Sequence, residues 1–466
     1  MKNLITVVLF LTVFSTGLYS QNIYDVRSLS MGNTGVSNSY DIDALNNNPA
    51  NILKQRTNNN SSAYFSIFTN LNFHVNSEYF SYDFYDKYFT SNSETNPVLL
   101  TDQDKEFIIN NASNEPVYIS ALVKELALVF NIKNFGSLGI SVDERFTGNF
   151  KVSRDLLEMG LYGNEINRIY DFTGTGYKGT WVRQLNITYA KSIKPKKSKL
   201  FEDLSFGISV KPQLGLYFAN TDRNDLTITT NNNLEVRGTG EIDFLFSSTS
   251  EDNVLEMSLK PAGFGIGFDA GVNAGIKNIS KHGKLNIGLS LNDIGFINWS
   301  KNTNRYQYNG NYIVTDITDP AQLDSLNKIV KGTKVSVPSF TTSLPLNLRL
   351  GLTYKIFSRP VAEVLKNNDN ETANLSFEYI QGFSNDFGSS KKPSIGIGCE
   401  YNVTNVLSPR IGLILGGNEK FALNFGFGID TGPVIIDLGT YNFTSVFNRK
   451  NATKVSGGLS IKFKVN

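Results

Sequence analysis

Cysteine occurs once, at Cys399, and histidine twice, at His74 and His282. A single thiol closes no internal disulfide, and two histidines with one cysteine make no zinc constellation. Beyond the first 20 residues there is no apolar stretch of about 18 residues, which excludes a helical membrane protein. No phosphate-binding loop is visible, and Asp316 and Asp319 lack the spacing of a calcium loop. Basic and acidic residues number 44 and 42, for a net charge of +2, so the basic excess of a nucleic-acid binder is missing. The one basic cluster, Lys194, Lys196, Lys197 and Lys199, falls between two strand candidates and reads as a solvated turn. His282 lies in the turn-like stretch Lys281-His282-Gly283-Lys284. His74 is on a strand candidate near Ser77, where a barrel hydrolase would need such a base beside its nucleophile. That proximity alone makes no catalytic site, so no enzyme, cofactor or metal is expected.

What is present begins with an export signal. Lys2 precedes a run from Leu4 to Phe14 that is apolar but for Thr6 and Thr12, and Ser15, Thr16, Gly17 and Ser20 follow. Charge, apolar core and small residues in that order predict a secretory signal peptide over 1–20, cleaved near Ser20. The run is well short of the roughly 20 residues that a spanning helix needs. No cysteine stands near the cleavage site to carry a lipid.

The rest of the chain alternates. Phe264, Ile266, Phe268, Ala270, Val272, Ala274 and Ile276 share one face, with Gly265, Gly267, Asp269, Gly271, Asn273 and Gly275 on the other. Leu285, Ile287, Leu289 and Leu291 oppose Asn286, Gly288, Ser290 and Asn292. The pattern returns at Leu348 to Ile356, at Phe421 to Ile429, at Phe206 to Leu216 and at Leu138 to Val142. Period 2 means strands. A soluble sandwich also alternates, but these segments reach about ten residues, the length of a tilted membrane strand rather than the usual 5 to 6. Glycine on the inward face suits a barrel interior that is wet or filled by an inserted segment.

Strands are predicted near 61–82, 122–133, 138–150, 181–193, 204–218, 224–236, 239–250, 262–277, 285–298, 346–357, 373–383, 394–404, 410–416, 421–430, 434–443 and 454–465. The total is 16, or 14 if the irregular pair within 224–250 is an excursion outside the membrane. Counting back from a last strand that ends in the periplasm puts 83–121, 151–180 and 299–345 outside as long loops. It leaves 278–284, 405–409 and 431–433 inside, with 358–372 the one long inner connection. A short helix is expected over Pro320 to Lys331, from Leu323, Leu326 and Val330. Val455, Gly457, Leu459, Ile461, Phe463 and Val465 form one face of the final strand, which resembles the signal read by the barrel-assembly machinery, although an aromatic end is lacking. Phe296, Trp299, Phe357, Tyr441 and Phe443 fall near strand ends, where a membrane girdle would stand.

Residues Arg27 to Leu53, RSLSMGNTGVSNSYDIDALNNNPANIL, carry a family resemblance. The stretch resembles the start of the FadL-like superfamily, which includes the long-chain fatty-acid transporter and the PorV barrel of the type IX secretion system. Met31, Gly32, Gly35, Asp41, Asp43, Asn48, Pro49 and Ala50 stand at the matching places. Asn33 and Thr34 replace the usual Gly-Gly, and Asn46 and Asn47 replace bulkier aromatics. Residues 288–299, GLSLNDIGFINW, are also similar to an uncharacterised group of such barrels.

The resemblance implies a barrel of 14 strands over 61–466 with a luminal hatch over 21–60. It implies a protein of the Gram-negative outer membrane, in contact with lipid, that passes or binds small hydrophobic compounds. The alternative it leaves open is a structural or secretion-associated barrel of the PorV kind, binding envelope proteins through its outer loops.

Overall fold

Alternating strands with one greasy and one polar face must separate two solvents, and fourteen of them do so here by closing on themselves. The computed structural model describes the chain from Asp25 to Val465 except for residues 56–60, 91–99, 114, 196–197, 251–257, 278, 316–321, 323–331, 362, 364–370, 386–388, 418, 444–446, 448–449 and 451. The wall strands are β1 (Ala63–Asn76), β2 (Val117–Ile132), β3 (Gly136–Lys151), β4 (Gly176–Ile193), β5 (Phe201–Asn224), β6 (Gly263–Ile276) and β7 (Gly283–Trp299). They continue with β8 (Asn347–Ile356), β9 (Ala373–Gly382), β10 (Ser394–Tyr401), β11 (Leu407–Gly416), β12 (Lys420–Asp430), β13 (Val434–Thr440) and β14 (Lys454–Val465). Each pairs antiparallel with the next, and β14 returns to β1 through pairs such as Ala63↔Val465 and Val75↔Val455. The closure leaves no open sheet edge, as hydrocarbon requires.

The two faces are reversed relative to a soluble protein. Phe264, Phe268, Leu289, Leu350, Phe377 and Ile411 are exposed on the outside, whereas Asp143, Asn186, Lys211, Asn273, Arg349 and Glu378 are buried within. No helix among the described residues is long and apolar enough to cross a membrane. The strands do the crossing.

Residues 225–262 decide between 14 and 16 strands. Up to Gly215, β5 pairs with β6, for example Phe206↔Val272. Beyond it the partner changes to Val236–Ser248, which pairs in turn with Thr303–Val314. With Ile169–Asp171 and Thr227–Thr230 these segments form a sheet standing on the rim, so the region expected as strands 224–236 and 239–250 adds nothing to the wall.

Several boundaries move. β1 ends at Asn76 rather than continuing to residue 82, because Ser77 Oγ accepts the amides of Tyr79 and Phe80 at 3.2 and 3.0 Å and turns the chain. Strand β2 starts at Val117 and β4 at Gly176, so the long connections expected as 83–121 and 151–180 are 77–116 and 152–175. Within 299–345, Thr303–Val314, Thr333–Ser336 and Phe340–Ser343 are strands rather than loop. The signal segment, Asp316, Asp319 and, apart from Gln322, the expected helix at Pro320 to Lys331 lie outside the described residues.

Two of the expected girdle aromatics face inward. Trp299 is fully buried, its ring 5.4 Å from Phe218 and its Nε1 donating to Thr342 Oγ1 at 2.9 Å. The cause is a bulge in β7, where the register shifts between Leu291 and Ile294 and Asp293 takes a φ of 59°. One extra residue reverses the parity: Ile294 and Phe296 turn out, while Ile297 and Trp299 turn in. Tyr441 is likewise buried, its ring 5.2 Å from that of His74.

Candidate functional site

The lumen is filled by the chain's own N-terminal segment. Asp25 caps the helix Val26–Ser30, its Oδ1 accepting the Ser28 amide at 2.8 Å. Gly32 and Asn33, with φ of 68° and 61°, then turn the chain back. Asp41–Asn46 and Pro49–Leu53 are 3-10 turns. Asn48 caps the second, accepting the Ala50 amide at 3.0 Å, and Pro49 sits at the first helical position, where its missing N–H leaves no bond unmade. Ile42, Ala44, Leu45 and Ile52 pack against Tyr64, Ala127, Val129, Ala190 and Ile435 of the wall.

The inward glycines are where this segment touches the wall. Gly207 lies against the backbone of Pro49 and Ala50, Gly271 against Asn48, and Gly288 and Gly351 against Val36. Gly396, Gly398 and Gly412 face Met31 and Gly32. A Cβ on Gly351 would stand 2.5 Å from Val36 Cγ1, and one on Gly32 would stand 2.6 Å from the carbonyl oxygens of both Ile397 and Leu413. The small inward face is therefore not a water channel at this level. It is the imprint of the hatch backbone.

Charge holds what the glycines admit. Glu378 accepts the Gly35 and Val36 amides at 2.6 and 2.9 Å and pairs with Arg349. Arg349 in turn donates to Asn47 Oδ1 and to the Asn33 carbonyl, both at 2.7 Å. Arg27 grips Glu400 with Nε and Nη2 at 3.0 and 2.9 Å, and its guanidinium lies 4.4 Å above the Tyr40 ring. Lys462 pairs with Asp43, approaches Asp41 at 3.8 Å and meets Asp437 at 3.1 Å. Burial pushes Asp41 and Asp43 upward, Asp43 to about 7, with the Lys462 ammonium opposing it. Asn46 donates to Asp143, which also binds Lys124 at 2.7 Å. Asn46 and Asn47 thus engage wall polar groups that an aromatic could not.

All eight motif residues are buried and in one body. Met31 and Gly32 press on the glycines of β10 and β11; Gly35 carries the amide that Glu378 accepts; Asp41 and Asp43 surround Lys462; Asn48, Pro49 and Ala50 form the capped turn against β5 and β6. Asn48 also donates to the Val36 and Val272 carbonyls at 2.7 and 3.1 Å. Sequence reasoning missed the wall partners Arg349, Glu378, Glu400, Arg410 and Lys462. Each is a charge at an inward parity position of an alternating strand, and that signal could have found them.

Beyond the hatch, Lys211 pairs with Asp269 and Asp293 at 2.6 and 2.7 Å, and Arg145 with Asp293 at 3.1 Å. Beside this cluster is a cleft of about 40 Å³ with Arg145, Thr147, Thr180 and Gln213 on its polar side and Val182, Ile297, Leu344 and Pro345 on its apolar side. His74 Nε2 is 2.9 Å from Glu419 Oε1, and His282 lies exposed in the turn between β6 and β7.

Comparison with solved structures finds distant barrels. The deltaS2S3 mutant of the TodX monoaromatic hydrocarbon channel aligns at 12% identity and a TM-score of 0.49, over 95% of this chain and 99% of that one. The P. putida toluene transporter TodX aligns at 12% and 0.44, over 96% and 97%. A Pseudomonas aeruginosa FadL homologue aligns at 10% and 0.45, over 97% and 100%. At these values the likeness adds nothing to the barrel already visible in the strand pairing. No curated protein matches the sequence. Residues 56–438, most of the barrel, match a family model described as a family of unknown function, and the chain belongs to that family, DUF5723.

Proposed function

We propose that this protein is an outer-membrane barrel that binds a small hydrophobic compound in its lumen and passes it across the membrane, with residues 25–55 as the movable closure. The observation that carries this reading is the packed hatch: a lumen whose wall glycines fit the hatch backbone offers no standing aqueous pore, so passage needs a site and a rearrangement. The cleft beside Arg145 has the mixed lining of a small-molecule site, apolar with a few fixed polar groups. Its present volume suits a water or two, so a larger ligand enters only when Leu344 and Pro345 withdraw. Short turns and long loops at opposite ends orient the long loops outward, and β14 is the strand offered to the assembly machinery.

The test is uptake of labelled toluene and labelled oleate by cells expressing the protein, with Leu344→Trp as the blocked form. Uptake above background for either probe, reduced in the Trp variant, is the expected result. Background uptake of both by a correctly folded barrel would remove the transport reading.

A further inference from the structure

At one place the wall carries no side chain on either face. On the inside, Gly426 of β12, Gly439 of β13 and Gly458 of β14 are bare where Ser30, Leu29 and Val26 of the hatch helix press on them. On the outside, Gly457 of β14 faces open space, since a Cβ there would meet nothing within 4 Å. A groove of about 490 Å³ results, bordered by Leu71, Phe425, Phe427, Leu438 and Leu459, within the roughly 300–1,000 Å³ range of small-molecule sites.

The neighbouring strand is distorted around the same hatch contact. Between Phe65 and Leu71 the register of β1 on β14 breaks, with Phe68 and Asn70 at φ of 44° and 52°. Ile67 and Phe68 consequently both point outward, 57% and 67% exposed, and Thr69 and Asn70 both point inward. Asn70 Oδ1 accepts the Val26 amide at 3.1 Å, and Thr69 Oγ1 takes the Ile461 amide at 2.7 Å in place of a ladder bond. Such a bulge exposes apolar surface on the lipid side that an unbroken strand would not.

The polar atoms at the groove are already satisfied. Thr440 Oγ1 donates to the Ser456 carbonyl at 3.0 Å, and Ser456 Oγ accepts the Tyr441 amide at 2.6 Å. An occupant therefore needs no polar group, only a narrow apolar body. The groove opens among the outward apolar side chains of the wall, such as Phe421 and Val455, and continuous backbone separates it from the lumen. Phe425 stands five residues from Lys420, about half of the roughly 9 to 11 residues that a tilted strand needs to cross, which places it near the middle of the hydrocarbon. Lys420 is half exposed at the rim.

We propose that this groove binds one acyl chain of a membrane phospholipid, seated directly over the hatch helix. The site goes beyond the transport reading and stands whether or not the lumen carries cargo.

The experiment places the full-length protein in nanodiscs containing a phospholipid with a mid-chain diazirine, followed by photolysis and peptide mapping. Labelling should concentrate several-fold on β12–β14 relative to β8 and β9, and should fall to the level of those strands in Gly457→Leu, a variant whose Cβ meets nothing within 4 Å and whose side chain projects into the groove. Even labelling around the barrel, or unchanged labelling in a Gly457→Leu protein that keeps its heat-modifiable band, overturns the proposal. Labelling of the groove by a diazirine analogue of toluene but not by the phospholipid overturns it too. Should Gly457→Leu fail to fold, the distribution on the wild-type protein decides alone.

Discussion

Arg27 and Glu400 form a two-pronged ion pair, 3.0 and 2.9 Å, between the first helix of the hatch and the wall, and both side chains are fully buried. Glu400 is shared with Arg410, which also reaches Asp437 at 2.7 Å, and Asp437 meets Lys462. Positive and negative charges thus alternate along one connected network that joins hatch to wall, in which removing a single member leaves a buried charge underpaired. Arg27→Leu should loosen the hatch by about 3 kcal/mol while the barrel persists. Hydrogen exchange at residues 25–55 should accelerate, and the heat-modifiable band should remain; unchanged exchange would show that the pair does not hold the hatch.

The imprint of the hatch on the wall makes a steric prediction. Gly271 faces Asn48 so closely that any Cβ collides with it. Gly271→Val should therefore expel or shift the turn at Pro49 without breaking β6, whose ladder bonds are backbone bonds. Proteolysis should cut the hatch faster than in the wild type, whereas the same change at outward Gly457 should leave the hatch protected. Equal protection in both variants would mean that the glycines reflect strand composition rather than hatch fit.

Alternation made the wall legible because lipid enforces it on every strand. Leu289 and Leu291 point out and Ser290 and Asn292 point in, as period 2 demands. What escaped the sequence were the interruptions. The bulge at Asp293 sends Trp299 inward, the bulge at Phe68 puts two apolar residues side by side on the lipid face, and the change of partner beyond Gly215 removes two apparent strands from the wall. Each depends on one backbone conformation or one pairing choice that leaves the local pattern almost unchanged. At the hatch, Asn48 and Pro49 announced a capped turn by residue type, but Arg349 and Glu378 lie over 300 residues away in sequence and could be joined to it only by folding.

Asn48 concentrates three bonds in one side chain. It caps the Pro49–Leu53 turn through the Ala50 amide and donates to two carbonyls, Val36 in the hatch and Val272 in β6. Asn48→Ala removes the cap and the only link among these three that joins hatch to wall. The Val36 carbonyl keeps Asn51 at 3.0 Å. A loss of about 2 kcal/mol follows from one cap and one buried bond, or roughly 30-fold more frequent hatch opening, readable as exchange at Ala50 and Asn51. Asn48→Asp keeps the cap but sets a buried carboxylate against the Val36 and Val272 carbonyls, so it should open the hatch more often than Asn48→Ala.

Lys54 supplies a pH dependence. Its Nζ donates to Asn273 Oδ1 at 2.6 Å on the inner face of β6. Burial first, and then the nearby Lys355 ammonium, lower its pKa from 10.5 to about 7. An undocked hatch returns Lys54 to water and to its ordinary value, so between about pH 7 and 10.5 the undocked state holds a proton that the docked state has released. Docking must therefore strengthen as pH rises through that window and level off below about 7, where both states are charged. Limited proteolysis of the hatch at pH 7.0 and pH 9.5 should show slower cutting at the higher pH after correction for the protease's own profile. Lys54→Met should abolish that difference while remaining docked. A wild-type protein cut equally fast at both values would place the Lys54 ammonium in water rather than against the wall.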